Sequence, residues 1–264
     1  MDDPKKAILE TISTDWSKAP HAEVWAFNQS ALLKRIFDQL DPQTPADIVA
    51  INYAWHELYR NGVIGWGWDP RQRGGANCQD AFMTPHGNTV IKAFTRDPEN
   101  PAGYLAHISV AIEANSIAGS YVEEALKTYA TGCNRAAVVL IGCAAESLLR
   151  EMRDQIVSKY VSAGKPQPSD IKTSVWMAKA IATGVEKILD DAKLQMPKEL
   201  GDDYNGRWAS LYDVIRKARN DAGHPNAVGS LGRSDVHAIL LLFPETAKLM
   251  RALIQWVDSS FKPK

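Results

Sequence analysis

Residues 136–145, Ala-Ala-Val-Val-Leu-Ile-Gly-Cys-Ala-Ala, carry no charge and would be apolar on every side of a helix. Such a helix must be covered by other elements over most of its surface. Helical periodicity extends the segment from Cys133 to about Tyr160, and Glu146 is the first residue to interrupt the apolar wall. The chain is therefore expected to pack this buried helix inside a helical bundle.

The segments around this helix also repeat apolar residues with the helical period. The predicted helices are 104–131, ended by Gly132; 170–193, capped by Ser169 or Asp170; a run that opens near Tyr204; and a last helix capped by Ser234. Residues 99–264 are therefore predicted to form a bundle of four or five antiparallel helices joined by short loops, and the fold class is mainly α.

The preceding residues, 1–98, are predicted to form a smaller α+β domain. Helices are expected over 1–40 and 46–60, short strands over 63–68 and 78–83, and another helix from Thr84-Pro85 onward. Two prolines and several polar residues in 96–103 interrupt both the helical and the strand periodicity, so the domain boundary is placed there. Helices followed by a two-stranded hairpin with a Gly- and Arg-rich tip resemble a winged helix-turn-helix domain, over residues 21–95.

Composition and charge narrow the functional classes. A formal net charge of -1 provides no global positive field for nucleic acid, so any such binding must depend on a local patch. We find neither a secretory leader nor an apolar segment long enough to span a bilayer, and therefore expect a cytoplasmic protein without membrane contact. Cys78, Cys133 and Cys143 form no CxxC pair and are expected to be free buried thiols. No metal-ligand spacing is found, and no metal or other cofactor is predicted.

One motif combines several chemically active side chains at the end of the helix that opens near Tyr204. It reads Arg219-Asn220-Asp221-Ala222-Gly223-His224-Pro225. Arg219 continues the apolar stripe of that helix, so its guanidinium is expected on the buried face, where it needs a carboxylate, a phosphate or a wet cavity. Glu146 is the predicted carboxylate. Gly223, as a left-handed cap, and Pro225 are predicted to end the helix and to leave His224 accessible at its mouth.

Two long helices, an alanine-rich start to the second, and Arg-Asn-Asp-x-x-His at the end of the third resemble the HEPN superfamily over residues 104–258. The hallmark of that family is an arginine and a histidine separated by four to six residues, frequently with asparagine after the arginine. Arg219, Asn220 and His224 match it with four intervening residues. The resemblance implies a metal-independent endoribonuclease, often a toxin or an antiviral effector of abortive infection. It further implies a site built by two copies of the motif across a homodimer, and regulation by an antitoxin or defence partner.

The residue types suit that chemistry. An imidazole titrates near neutral pH, so His224 can take the proton from a ribose 2′-hydroxyl or give one to the leaving 5′-oxygen. Arg219 can offer two donors to the charge that develops on the phosphate. Asn220 is expected to orient the phosphate or His224, with Asp221 as a supporting residue. The expected products are a 2′,3′-cyclic phosphate and a 5′-hydroxyl.

Basic residues outside the motif are candidates for contacting nucleic acid. Arg216 and Lys217 lie one turn or less before Arg219, while Arg71 and Arg73 lie in the loop between the two predicted strands. For each of them a solvated surface position is the structural alternative. Arg219 with Glu146 could likewise be only a buried ion pair.

Two other functional classes remain open. A non-catalytic protein could use the same pocket to bind a nucleotide or RNA as a sensor or scaffold. A DNA-binding regulator could act through the winged-helix-like domain, with the bundle as a dimeriser. The helix over 46–60 carries Asp47, Glu57 and a single arginine, Arg60, so the DNA-binding class is not favoured.

Overall fold

The computed structural model describes residues 3–18, 26–67, 80–223 and 231–263. These residues are mainly helical and include a small three-stranded sheet, which confirms the predicted mainly α class. The chain divides into two compact units, residues 1–104 and 105–264. The predicted domain boundary lies a few residues earlier, after residue 98. None of the described helices is long and apolar enough to cross a membrane.

The first unit combines helices with an antiparallel sheet. Its described elements are α1 (Pro4–Lys18), β1 (Ala26–Asn28), α2 (Gln29–Leu40), α3 (Pro45–Arg60), β2 (Ile64–Trp66), β3 (Asp80–Met83) and α4 (Pro85–Phe94). The strands lie in the order β1-β3-β2, and Phe82 of β3 pairs with Ala26 on one side and Gly65 on the other. A core of buried aliphatic side chains, including Ile12, Ile36, Ile51 and Leu58, joins α1, α2 and α3.

Hydrogen bonds at the helix starts explain where the helices of this unit begin. Thr44 and Asp47 form a reciprocal capping box at α3, and Thr84 caps α4 by accepting from the backbone N–H of Gly87 at 2.9 Å. The prediction of one helical stretch over 1–40 is wrong at 26–28, which form β1. Asn28 ends that strand and caps α2 by accepting from the Ala31 N–H at 2.9 Å.

The second unit is a helical bundle. The division between the units falls within α5 (Pro101–Ile112). The helices that follow are α6 (Ser116–Ala130), α7 (Asn134–Ser162), α8 (Ala178–Asp191), α9 (Lys198–Gly223) and α10 (Arg233–Ser259). α7 packs against α6, α8, α9 and α10. Most of its apolar run is covered, since Ala137, Val138, Ile141, Ala144 and Ala145 are at most 1% exposed, while Ala136 at its start is exposed.

The helix predicted over 104–131 is interrupted, because a buried polar network holds a break between α5 and α6. The Asn115 side chain accepts from the Ala118 N–H at 2.9 Å and so caps α6, while its amide donates to Glu151 Oε2 at 2.9 Å. Arg251 pairs with both oxygens of Glu151, at 2.5 and 3.1 Å, and its Nε donates to the Ala111 carbonyl at 2.9 Å. The carbonyl at the end of α5 is therefore satisfied by α10.

The helix predicted over 170–193 is also shorter than expected. Residues 169–171 form a single 3-10 turn, and α8 begins only at Ala178. Between them, Arg150 and Arg153 of α7 donate to the carbonyls of Trp176 and Val175, at 2.7 and 3.1 Å. These tertiary bonds hold the backbone carbonyls before α8 in a non-helical conformation.

Three further predictions about element ends and cysteines need correction. α9 begins at Lys198, before the predicted opening near Tyr204, and α10 is capped by Gly232, whose N–H donates to Asp235 Oδ2 at 3.1 Å. Gly223 is the last residue of α9 and keeps a helical backbone, so it is not the predicted left-handed cap. Cys133 is exposed and Cys143 is half-buried, both as free thiols. The third cysteine, at 78, lies outside the described residues.

Candidate functional site

Arg219, in the last turns of α9, reaches across to α7. Its Nε lies 3.5 Å from Glu146 Oε1, and its Nη1 donates to the Asn220 side-chain oxygen at 3.1 Å. The Nε atom is buried and, although close enough to Glu146 for an ion pair, has no hydrogen-bond partner among the described residues. The side chain as a whole is 34% exposed, so its exposed part belongs to atoms other than Nε. Arg219 is therefore held by its inner edge while the rest of the side chain is accessible.

Gly142 makes this crossing possible. A Cβ atom at Gly142 would lie 2.3 Å from Arg219 Cγ and 2.4 Å from Arg219 Cβ, far closer than carbon atoms can approach. The arginine stem therefore packs directly on the backbone of α7. The sequence analysis assigned no role to Gly142, although a glycine inside an otherwise apolar helix indicates close approach of another element.

Replacing Gly142 with alanine is expected to destabilise the bundle by about 1–3 kcal/mol, because the new methyl group overlaps the Arg219 stem. Glycine to alanine within an unobstructed helix has the opposite effect, a gain of about 0.5–1 kcal/mol. Gly206 of α9, whose Cβ would meet nothing within 4 Å, is the matched control. Urea denaturation of both variants tests the prediction, and a stabilised Gly142→Ala protein would contradict it.

Two more side chains line the contact between α7 and α9. Burial raises the pKa of the Cys143 thiol, while the Arg219 charge lowers it and Glu146 raises it further. Burial and then the Glu146 charge raise the pKa of the Tyr212 hydroxyl far above its ordinary value. We refer to Gly142, Cys143, Glu146, Tyr212 and Arg219 as the α7–α9 cluster. The Glu146 carboxylate therefore lies beside the Arg219 guanidinium and raises the pKa of both the Cys143 thiol and the Tyr212 hydroxyl.

The structure brings together some of the predicted site residues. Arg219, Asn220 and Glu146 lie in one group, and Asp221 is exposed on the last turn of α9. Arg216 is bound to Asp213, with Nε and Nη2 at 3.1 and 3.0 Å from Oδ1.

The remaining predicted residues divide into one that the structure places and three that it does not. Lys217 is exposed on α9. His224, Arg71 and Arg73 lie outside the described residues. Their roles therefore stay predictions. Within the described ranges, no three His, Cys, Asp or Glu side chains are grouped closely enough to hold a metal ion.

Comparison of the chain with models of protein families, with curated proteins and with solved structures found no match. The functional argument consequently depends on the site itself.

Proposed function

We propose that this protein is an endoribonuclease of the HEPN type that cleaves RNA without a metal ion. The observation that supports the proposal most directly is the placement of Arg219. Its inner edge faces Glu146, its stem packs on Gly142, and its exposed part lies at the end of α9, five positions before His224. A guanidinium that is held at its inner edge and keeps accessible donors is well placed to bind an anion. That role fits its placement better than the role of a purely structural ion-pair member.

The proposed reaction is an internal transfer at phosphorus. The ribose 2′-oxygen attacks the phosphorus, His224 accepts the 2′-hydroxyl proton, and the bond from phosphorus to the 5′-oxygen breaks. A second imidazole, from the copy of the motif in the other protomer of a homodimer, gives the 5′-oxygen its proton. Arg219 stabilises the charge that accumulates on the phosphate oxygens. The products are a 2′,3′-cyclic phosphate and a 5′-hydroxyl.

Asn220 has a definite part in this proposal. Its side-chain oxygen accepts from Arg219 Nη1 at 3.1 Å, so its amide N–H groups point away from the guanidinium. Those N–H groups can donate to the phosphate or to His224. Asn220 therefore orients the reacting groups, and Asp221 on the same turn adds a carboxylate beside the motif.

The biological setting that we propose follows from the HEPN resemblance. The enzyme would act as a toxin or as an antiviral effector that aborts infection, in the cytoplasm. An antitoxin or other defence partner would restrain it until it is needed. No cofactor enters the proposed reaction.

Incubation of the purified chain with RNA in excess EDTA tests the proposed function. We expect fragments whose 5′ ends carry a free hydroxyl, so that polynucleotide kinase labels them without prior phosphatase treatment. Their 3′ ends should carry a 2′,3′-cyclic phosphate detectable by mass spectrometry. Substrates with a 2′-O-methyl group at the cleaved position should stay intact, because the nucleophile is blocked. Cleavage of such substrates, or fragments with 5′-phosphates, would contradict the mechanism.

The alternative is that the protein is a non-catalytic relative of such enzymes and uses the same site only to bind a nucleotide or RNA. In that case nucleotide or RNA would raise the melting temperature of the protein, since ligand binds only the folded state, but no product would form in any buffer. Binding without product for several unrelated RNAs would therefore favour a sensor or scaffold over an enzyme.

The first unit supports a second candidate function, that of a winged-helix DNA-binding regulator. Its described elements follow the order helix, strand, helix, helix, strand, strand, helix from α1 to α4, with β3 between β1 and β2. α3 also presents an exposed stripe, which consists of Val49, Asn52, Tyr53, His56 and Arg60. Because Arg60 lies over the Tyr53 ring and 3.7 Å from Glu57, this stripe has little free positive charge for phosphates.

A gel-shift assay with duplex DNA separates this candidate from the ribonuclease. A DNA-binding regulator should lose its shift in Asn52→Ala and Arg60→Ala, or on changing Arg71 and Arg73, and should keep it in His224→Ala. The absence of a shift at low salt would remove the candidate, because electrostatic binding is strongest there.

A further inference from the structure

Trp176, in the non-helical segment before α8, exposes most of a large aromatic side chain to solvent. It is 75% exposed, and the adjacent Met177 is 55% exposed. Tryptophan side chains are highly buried on average, and neighbouring exposed apolar side chains are typical of a binding surface. The exposed indole is therefore a candidate contact for a ligand.

The backbone that carries this indole is fixed to α7. Arg150 donates to the Trp176 carbonyl oxygen at 2.7 Å. Arg153 donates to the preceding carbonyl, that of Val175, at 3.1 Å. The Val175 N–H in turn donates to the Lys172 carbonyl at 2.8 Å and closes a turn. Three hydrogen bonds thus position the segment, so the ring is presented to solvent without the cost of ordering a loose loop on binding.

Arg150 also connects this segment to the α7–α9 cluster. Gly142, Glu146 and Arg150 are spaced four residues apart on α7 and therefore lie along one stripe of the helix. Burial raises the pKa of the Tyr212 hydroxyl, the Glu146 charge raises it further, and the Arg150 charge lowers it. Both charges consequently lie near Tyr212. Along the helix axis, Arg150 is about 12 Å from Gly142, on which the Arg219 stem packs.

The charges along this stripe leave Arg150 without an acidic partner. The Glu146 carboxylate lies 3.5 Å from Arg219, and the Asp154 carboxylate lies 2.8 Å from Arg153. Arg150 is bound instead to a neutral backbone carbonyl, and none of the described carboxylates forms an ion pair with it. A guanidinium has five N–H donors, so Arg150 keeps donors for an anion.

The segment around Trp176 carries positive charge as well. Residues 171–185 include Lys172 and Lys179, both exposed, and no aspartate or glutamate. An exposed aromatic ring beside cations suits a ligand that offers both flat rings and negative charge. A single-stranded nucleic acid offers both, because its phosphates pair with cations and its unpaired bases stack on aromatic side chains.

We infer that Trp176 stacks on an unpaired base of the RNA strand whose cleaved phosphate binds at Arg219, and that Arg150 binds a phosphate between these two positions. The inference rests on the proposed function for the identity of its ligand as RNA. It adds a strand path to that function, along the α7 stripe from Arg219 to Trp176. Single-stranded RNA is therefore preferred over a duplex, whose bases are already stacked on one another.

Binding of two uncleavable octamers to the full chain tests the role of Trp176, with fluorescence anisotropy as the measurement. One is 2′-O-methyl adenosine RNA, and the other has the same number of phosphates but no bases. We expect Trp176→Ala to bind the adenosine octamer about tenfold more weakly and the abasic octamer unchanged, since only a base can stack on the indole. Trp176→Phe should keep part of the affinity for the adenosine octamer.

Salt dependence tests the role of Arg150. Arg150→Ala should weaken the binding of both octamers, and the slope of log affinity against log salt should become shallower by about 0.7, as expected for one lost phosphate contact to a single strand. Trp176→Ala should leave the slope unchanged. Leu194→Ala is the matched control and should bind like the wild type, because Leu194 is a fully exposed apolar residue in the 3-10 turn after α8.

Thermal melting shows whether the Trp176→Ala protein is intact. Its melting temperature should match that of the wild type, because the lost side chain is exposed and Arg150 binds the backbone carbonyl, which the substitution keeps.

Three results would overturn the inference: no binding of either octamer by the wild type, equal affinity of the wild type and Trp176→Ala for the adenosine octamer, or an equal loss with both octamers. The exposed indole would then be assigned to a contact with a protein. RNA cleavage without an effect of Trp176 on binding would refute this inference alone. Preference for the adenosine octamer that depends on Trp176, without cleavage of any RNA, would refute the ribonuclease alone.

Discussion

The Arg219→Ala protein is expected to cleave RNA at least about 100-fold more slowly than the wild type, because a preorganised donor to the charged phosphate is lost. Arg219→Lys should recover only part of the rate, since an ammonium group keeps the charge but not the planar pair of donors. The rates should be measured under single-turnover conditions, so that binding and product release do not mask the chemical step.

Arg207→Ala is the matched control for this experiment. Arg207 lies on the same helix and is 55% exposed, with Asp203 and Glu245 at 3.5 and 3.8 Å. Its loss should change the cleavage rate by no more than about twofold, because an exposed ion pair contributes little. If Arg219→Ala melted like the wild type and cleaved RNA at the same rate, the site proposed at the end of α9 would be wrong.

Arg251→Ala is expected to lower the free energy of unfolding of the bundle by about 3–5 kcal/mol, the largest stability effect that the structure predicts. Arg251 is 7% exposed and binds Glu151 through two nitrogens and the Ala111 carbonyl through a third. Its removal leaves the Glu151 carboxylate without its cation and the Ala111 carbonyl without its donor, in a largely buried environment. Calorimetry is the suitable measurement, because two compact units need not unfold in one transition.

The double variant Arg251→Met with Glu151→Leu makes this prediction sharper. Replacement of both members of a buried ion pair by apolar residues is far less costly than loss of one, so the double variant should be more stable than Arg251→Ala. The exposed Arg207→Ala should again lie within about 0.5 kcal/mol of the wild type. Additive losses in the double variant would show that Arg251 and Glu151 act independently.

The elements that could be read from the sequence are those with local causes. Thr44 with Asp47, and Thr84 before Pro85, start α3 and α4 through contacts within four residues. The apolar run of α7 required burial over most of its surface, whatever the neighbouring elements were. The position of Arg219 in the apolar stripe of α9 was enough to predict a cation on the buried face that needs a carboxylate partner.

The features that escaped the sequence analysis have distant causes. The break at Asn115 depends on Glu151, 36 residues away, and the end of α5 depends on an arginine 140 residues from Ala111. The late start of α8 depends on Arg150 and Arg153, which hold carbonyls more than 20 residues further along the chain. The helical periodicity of the sequence continues through these helix breaks. Periodicity shows which side of a segment is buried, but it does not show which backbone carbonyls are hydrogen-bonded to distant side chains.

The sequence alone determined that this chain buries a central apolar helix in a mainly helical fold, and that an arginine and a histidine lie five positions apart, because both follow from residue order and local spacing. Only the tertiary structure decided that Gly142 admits the Arg219 stem, that Glu146 lies 3.5 Å from Arg219 Nε, and that the Tyr212 hydroxyl is buried without a hydrogen-bond partner among the described residues. These features belong to α7 and α9, whose relative positions come from packing of the whole bundle and are not encoded in any single segment.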